Sequence, residues 1–354
     1  MLHYLIILLD ETSTSYCHYD ILGKERKLIS LDDLKAGVRF AMIQNLMIQF
    51  VYPCYDLPQD YKEVIESIDH SKLIPVDSPL HSDADVIIIN HWQEAVNCDF
   101  DTTTAYVLRI CKSDFFSQIV LIKSLLRKVS RLNIVITDIE TFTDTDFETY
   151  KKLLLCLSDE IKDLYVKGTN PQLNLITDRM MLSQMNNCNA GCENITLAPD
   201  GKFYICPAFY YSDGDKQIFQ IGDLKDGLNI KAAQLYKLSH APLCRTCDAY
   251  QCKRCVWLNR KTTFDVTTPS HEQCVIAHIE RNVSRYLLID IRKYGVFYPN
   301  QEIKEIDYLD PFDIRIEWNK VKKYESKNSR RSLHRRKRRN KKHIYETLCI
   351  NGFG

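Results

Sequence analysis

CRTCDAYQCKRC, residues 244–255, reads C-x2-C-x4-C-x2-C and sets the terms for the rest of the chain. Two residues between paired cysteines let both thiolates reach one metal while the intervening backbone N–H groups turn toward the sulfurs. Four thiolates on so short a segment repel one another unless a cation neutralises them, and a bound metal deprotonates the thiols outright. Soft sulfur donors select zinc or iron–sulfur clusters over hard cations. Cys188, Cys192, Cys206 and Cys274 flank this core. Eight thiols supply two four-cysteine sites, whose ligands need not be contiguous in sequence. Residues 188–274 therefore read as a cysteine-ligated metal domain.

Outside that domain the other cysteines, Cys17, Cys54, Cys98, Cys111, Cys156 and Cys349, are scattered, and Cys54, Cys98, Cys111 and Cys156 read as isolated structural thiols. The chain has 354 residues, 45% hydrophobic, 10% aromatic and 26% charged. That length suits two domains and a sizeable core. The apolar run Leu5–Leu9 is too short to span a bilayer and lacks the basic start and small-residue cleavage site of a signal peptide. The expectation is a cytoplasmic protein, with no membrane partner and with reduced thiols. The net charge of +1 conceals an asymmetry, because residues 320–342 hold 13 Lys or Arg against the single acid Glu325. The remainder carries 34 basic and 45 acidic residues, so an acidic body is joined to a basic, low-complexity tail, expected to be disordered. No aromatic residues are interleaved between Ser326 and His343, which argues against specific nucleic-acid reading.

The first half alternates strand-like and helix-like segments. Strands are expected at His3–Leu9, Met47–Tyr52, Val86–Asn90, Ala105–Ile110, Asn133–Ile139 and Leu173–Ile176. Helices are expected at Leu31–Asn45, Tyr61–Ile68, Phe115–Val129 and Asp146–Val166. Such βα units imply a parallel sheet, as an open sheet or a partial barrel. From about Ser183 the helical period fades. Ile195–Cys206 reads as a hairpin turned by Pro199-Asp200-Gly201, a helical segment lies near Ala232–Leu238, and His278–Ile291 reads as a helix. Tyr308–Trp318 reads as a last ordered strand or loop. The domains expected are 1–182, 183–290, an ordered extension 291–319 and the basic tail 320–354.

Cys188, twelve residues, Gly201, four residues, Cys206, then IGDLKDG, a helix and the cysteine core resemble the SPASM domain of radical-SAM peptide-modifying enzymes. In that family each tetrad draws on both ends of the domain. The resemblance implies one 4Fe–4S cluster on Cys188, Cys192, Cys206 and Cys255, and another on Cys244, Cys247, Cys252 and Cys274. The central spacing departs from the family's C-x2-C-x5-C-x3-C by one residue in each of the last two gaps. By ligand chemistry alone, two Zn2+ ions remain the alternative. A SPASM domain implies a preceding radical-SAM partial (β/α) barrel, whose first loop carries C-x3-C-x2-C. Here that loop, DETSTSYCHYDILG, has only Cys17, so the catalytic cluster has too few ligands and the chain is not expected to cleave S-adenosylmethionine on its own.

A degenerate radical-SAM barrel before a SPASM-like domain resembles the CXXX repeat peptide maturase family, most specifically in CRTCDAYQCKRCVWLNR and TPSHEQCVIAHIERN. The resemblance implies a part in maturing a ribosomally made cysteine-repeat precursor peptide beside an active radical-SAM companion enzyme. The clusters would bind substrate or relay electrons. A zinc-stapled peptide- or protein-binding module without redox role is the competing reading. Cys17 is the one candidate for catalytic thiol chemistry, set against a vestigial loop. His271 and His278 read as hydrogen-bonding groups beside Cys274, and Lys253, Arg254 and Arg260 as cations able to offset cluster charge or as surface residues.

Overall fold

The computed structural model of the protein describes residues 2–21, 25–96, 98–306 and 308–311. The basic tail 320–354 with Cys349, and residues 312–319 of the expected extension and last strand, lie outside the described residues. Residues 1–305 form one compact unit. Its first half runs β1 (Tyr4–Leu8), α1 (Leu31–Gln44), β2 (Met47–Val51), α2 (Gln59–Ile65), β3 (His70–Pro75), β4 (Val86–Ile89), β5 (Ala105–Ile110), α3 (Lys112–Ser117), α4 (Ile119–Leu126), β6 (Arg131–Ile136), α5 (Asp144–Val166), β7 (Gln172–Leu173) and α6 (Asp178–Met181). The cysteine-rich half adds β8 (Asn194–Leu197), β9 (Lys202–Tyr204), α7 (Pro207–Tyr211), β10 (Gln220–Asp223), β11 (Gly227–Leu228), α8 (Val256–Thr263) and α9 (His271–Ile291).

Among the described residues these strands join one mixed sheet in the order β11-β10-β9-β8-β1-β2-β3-β4-β5-β6-β7. From β1 to β7 every pairing is parallel, as the βα alternation requires. β8 is also parallel to β1, with Leu5 opposite Ile195 and Ile7 opposite Leu197, and β9, β10 and β11 follow antiparallel. The sheet is thus continuous across residues 182 and 183. Being flanked on both sides, β1 is buried on both faces. Leu5, Ile7 and Leu9 enter one apolar cluster, and Ile6 and Leu8 enter another with Val51, Leu73 and Tyr204. That is why the strand reads as an unbroken apolar run rather than an alternation.

The helices begin where local chemistry satisfies their free N–H groups. Ser30 caps α1 by accepting from the Asp33 amide, and Asn45 closes it in the left-handed region. Thr143 with Asp146 and Ser270 with Gln273 form capping boxes on α5 and α9. The second box starts α9 at His271, a full two turns before the expected His278, and so places Cys274 on the helix. The helix expected over 115–129 is broken at Gln118, whose φ of −101° and ψ of 24° leave the α region. Near residue 232 the chain makes only a 3-10 turn, Ala233–Tyr236. β3 was not expected: only Leu73, Ile74 and Pro75 of HSKLIP are buried, so no alternation marks it.

α9 packs along α5, and a buried carboxyl lies between them. Tyr150 Oη donates to Glu280 Oε1 at 2.7 Å, and Gln251 Nε2 donates to Oε2 at 3.3 Å. Burial raises this carboxyl from an ordinary value of 4.5 to about 7, against the lowering by its two donors. The folded protein therefore holds a proton that an unfolded chain has released. This contribution to stability is complete below about pH 4.5 and is lost as the pH rises through about 7. Unfolding by urea at pH 5.5 and pH 8.5 should show the wild-type protein losing about 2 kcal/mol more than Glu280→Gln over that interval. Equal losses in the two proteins would refute the assignment.

Candidate metal centre

The cysteine core 244–255 has almost no regular structure of its own and is held by side chains from neighbouring helices. Arg281 of α9 donates to both oxygens of Asp248, at 3.0 and 2.6 Å, and Arg179 of α6 reaches the same carboxylate at 3.4 Å. Burial alone would raise the Asp248 carboxyl, but the two guanidinium groups outweigh it and hold it below the usual range. Arg179 also stacks over the Tyr250 ring, 4.3 Å from its centroid. Gln251 Nε2 donates to the Ala277 carbonyl at 2.7 Å. Two backbone bonds, Asn186 N to Tyr250 O at 2.7 Å and Cys188 N to Lys253 O at 2.8 Å, lay the 186–192 segment along the core. That segment turns through left-handed Asn189 and Gly191. A side chain at Gly191 would come within 2.9 Å of Ile205 and Tyr236, so only glycine fits.

The thiols fall into two groups. The charges of Cys188 and Cys255 act on Cys206 and that of Cys188 on Cys255, and both Cys188 and Cys255 act on Cys17 of the loop after β1. Cys244, Cys247 and Cys252 form the second group. His278, one helical turn after Cys274, places Nε2 3.6 Å from Cys247 Sγ while its Nδ1 meets the Cys274 carbonyl at 2.8 Å. Cys192 sits half-buried in the 189–192 turn, its sulfur sensed by Arg254. Burial pushes these thiols up: Cys244 to about 11, Cys255 to about 12, and Cys188, Cys206, Cys247 and Cys252 in the same direction. Yet backbone amides point at the sulfurs. Ala190 serves Cys188, Ala208 and Phe209 serve Cys206, and Trp257 and Leu258 serve Cys255. Ala249 serves Cys247 at 3.4 Å, and Arg254 serves Cys252. Cys206 and Cys255 each stand at a helix start, before α7 and α8.

Arg254 lies between the two groups. It is 2% exposed, it adopts a left-handed φ of 44°, and its neighbours in charge are Cys244, Cys188, Cys252 and Cys192. Its Nε donates to Asn187 and one terminal nitrogen to the Tyr236 carbonyl, while Nη1 is buried without a hydrogen-bond partner. A buried cation with a free N–H, and amides aimed at sulfur, fit a site for thiolates rather than thiols. Among the described residues no three His, Cys, Asp or Glu side chains are arranged around a single ion. The donor set fits sulfur-ligated metal by its chemistry. Arg260, by contrast, is an ordinary ion-pair residue, 3.1 Å from Asp215.

The structure adds a second feature that the motifs had not disclosed. A cavity of about 650 Å³ opens at the carboxyl ends of the parallel strands, lined by Thr14 and Asp20 of the β1 loop, Asn90 and Glu94 after β4, and Arg109 of β5. Cys54, exposed, and Cys111 also face it. Arg109 is 7% exposed and ties the β1 loop in place. Its Nε donates to the Cys17 carbonyl at 2.8 Å, Nη1 to Asn90 Oδ1 at 2.9 Å, and Nη2 to the Tyr19 carbonyl at 2.6 Å and Asp20 at 2.7 Å. Polar residues at the last positions of buried strands, Asn90 after VIII and Arg109 in AYVLRI, were the available signal. His18 turns away from this cavity, Nδ1 on the Ile136 carbonyl, and burial lowers it to about 4, so it is neutral at physiological pH.

Replacing Asp248 with Asn keeps the shape but removes the counter-charge of Arg281, whose side chain is fully buried. The expected cost is about 2 kcal/mol, below the usual figure for a buried pair because Asp248 remains 31% exposed. Hydrogen exchange at 244–255 should accelerate before the sheet loosens. Unchanged exchange in that segment would show that the pair does not hold it.

No family model and no curated protein sequence matches this chain. Solved structures do. The chain is similar to polyhistidine-tagged anSMEcpe with bound AdoMet, with a TM-score of 0.57 and 12% identity over 85% of this chain and 100% of that one. Native anSMEcpe with bound AdoMet gives 0.54 and 11% identity over 82% and 99%. The same protein with bound AdoMet and Cp18Cys peptide gives 0.52 and 10% identity over 83% and 100%. At this identity the likeness concerns the fold: the chain has the mixed α/β architecture, with a large parallel sheet, of radical-SAM enzyme structures.

Proposed function

We propose that this protein takes part in modifying a ribosomally made peptide, as a radical-SAM-like chain whose 188–274 segment carries two auxiliary 4Fe–4S clusters. The observation that carries the reading is the set of sulfurs of half-buried Cys188 and Cys255 and buried Cys206, each receiving backbone N–H groups that a thiol has little use for. The fold shared with anSMEcpe, solved with AdoMet and Cp18Cys peptide, supports a peptide as the partner. The family resemblance narrows that partner to a cysteine-repeat precursor and adds a companion radical-SAM enzyme.

Cys188, Cys206 and Cys255 would hold one cluster with a fourth thiol, and Cys244, Cys247 and Cys252 the other with Cys274 from α9. A bound cluster supplies a one-electron centre or an iron able to take a substrate sulfur. The protein's own groups keep the sulfurs ionised, shield them from water and fix their directions. Arg254 between the groups offsets anionic charge, which raises the affinity of both sites for an added electron. The mouth cavity is large enough for a short peptide segment, and Arg109 with Asp20 and Glu94 gives it polar walls. The β1 loop offers Cys17 where a radical-generating site needs three thiolates, so radical initiation falls to the companion.

Anaerobic purification should yield brown protein with about eight irons and eight sulfides per chain. Zinc without iron would replace this reading by the zinc-stapled module. Incubation with S-adenosylmethionine and a strong reductant should release no 5′-deoxyadenosine above the blank; turnover would contradict a lost initiation site. A synthetic peptide with cysteine at every fourth residue should bind the cluster-loaded protein in calorimetry. A serine-substituted control that binds equally well would remove the cysteine-repeat partner.

A further inference from the structure

We propose that Glu280, between α5 and α9, is a proton site coupled to the second thiol group: it takes up a proton from water when the metal centre held by Cys244, Cys247, Cys252 and Cys274 gains an electron. The inference rests on the reading that this group holds an iron–sulfur cluster. Glu280 is 7% exposed, yet its partners among the described residues are a phenol and an amide, not a cation. A buried carboxylate ordinarily has a paired cation. Here Arg281, next in sequence, is spent on Asp248. The groups packed around Glu280 supply no substitute. Tyr150 comes from α5, Asp178, held by Arg131, from α6, and Cys252 from the cysteine core. Glu140, in the turn after β6 that α9 also meets, is paired with Lys261, and on α9 itself His278 faces Cys247.

The carboxyl is fastened to the thiol-bearing loop itself. Gln251 stands one residue before Cys252. Its Nε2 donates to Glu280 Oε2 at 3.3 Å and to the Ala277 carbonyl at 2.7 Å, while its Oε1 is buried with no partner among the described residues. One amide thus carries a donor for the ionised carboxylate and an unspent acceptor for the O–H of the neutral acid. Cys274 lies on the same helix, about 9 Å from Glu280 along its axis. In a poorly solvated interior, a negative charge added at that range disfavours a second one, so reduction of the centre favours the acid form of Glu280. Burial already lifts this carboxyl to about 7 in the chain alone, within reach of such a push. The step balances with one electron and one proton. A soluble one-electron reductant such as dithionite gives its electron to iron, water gives its proton to a Glu280 oxygen, and no other bond forms or breaks.

Iron is counted first in anaerobically purified wild-type protein, which tests the underlying reading by itself; zinc without iron ends that reading and the proposal with it. With about eight irons present, dithionite titrations followed by electron paramagnetic resonance then give the potential of each centre from about pH 6 to about pH 10. In the wild-type protein one potential should fall as the pH rises through a window above about 7, approaching a tenfold change per pH unit, or about 59 mV for one electron. Glu280→Gln keeps the shape without a titrating proton, so that potential should stay level and meet the wild-type value at the acid end. Tyr150→Phe keeps the ring but removes a donor that favours the carboxylate, so its window should move to higher pH. A level wild-type potential, an equal slope in Glu280→Gln, or an unmoved window in Tyr150→Phe overturns the proposal. A readout in unsubstituted protein guards against misfolding. Infrared difference spectra within the window should show a carboxylic-acid C=O stretch appearing on reduction. Reduced wild-type protein without that band refutes proton uptake by a carboxyl, whatever the variants do.

Discussion

The pairing of β8 on β1 is the contact on which everything else depends. β1 satisfies one side of its backbone with β2 and the other with β8, and buries apolar side chains on both faces. It thereby makes the cysteine-rich half an extension of the parallel sheet, where it could otherwise have been a tethered appendage. Two consequences follow from that one ladder. The β1 loop, leaving the strand's carboxyl end, falls between the mouth cavity and the thiols. The hairpin β8–β9 delivers Cys206 beside that loop at the start of α7.

Ionising clustered, poorly solvated sulfurs is electrostatically costly, and arginine side chains stand in and around the loops that carry them. Arg254 lies between the thiol groups, Arg281 and Arg179 grip Asp248, and Arg109 grips the β1 loop. Guanidinium groups suit this use, because each can bond several carbonyl or carboxylate oxygens at once and stays charged when buried. The cysteine-rich region therefore owes its shape to arginine forks more than to regular backbone structure.

The sequence was most legible where burial imposes a period. β5 was anticipated to the residue, α1 and α5 within two residues, and the hairpin at Pro199-Asp200-Gly201 stands where turn chemistry put it. β3 carries no alternation because only its second half is buried, and the start of α9 is masked in sequence by the polar residues His271, Glu272 and Gln273, although Ser270 and Gln273 form its capping box. The expectation of metal ligation comes from cysteine spacing alone. Grouping of the thiols is not legible there, because it depends on contacts such as Tyr19 on Tyr211 that join residues about 190 positions apart. The mouth cavity was hidden for the same reason: Asn90 and Arg109 look ordinary until parallel strands set them side by side.

The order of the ladder also bears on how the chain is made. Tyr4 pairs with Met47 early in synthesis, but its other edge waits for Asn194, after the whole run of βα units has emerged. Until then the most apolar strand of the protein presents an open edge, a template for pairing with another chain. Such a long-range closure is slow. A nascent chain stalled before residue 194 would expose Leu5–Leu9 on one side, and truncation there should favour aggregation over a stable half-molecule.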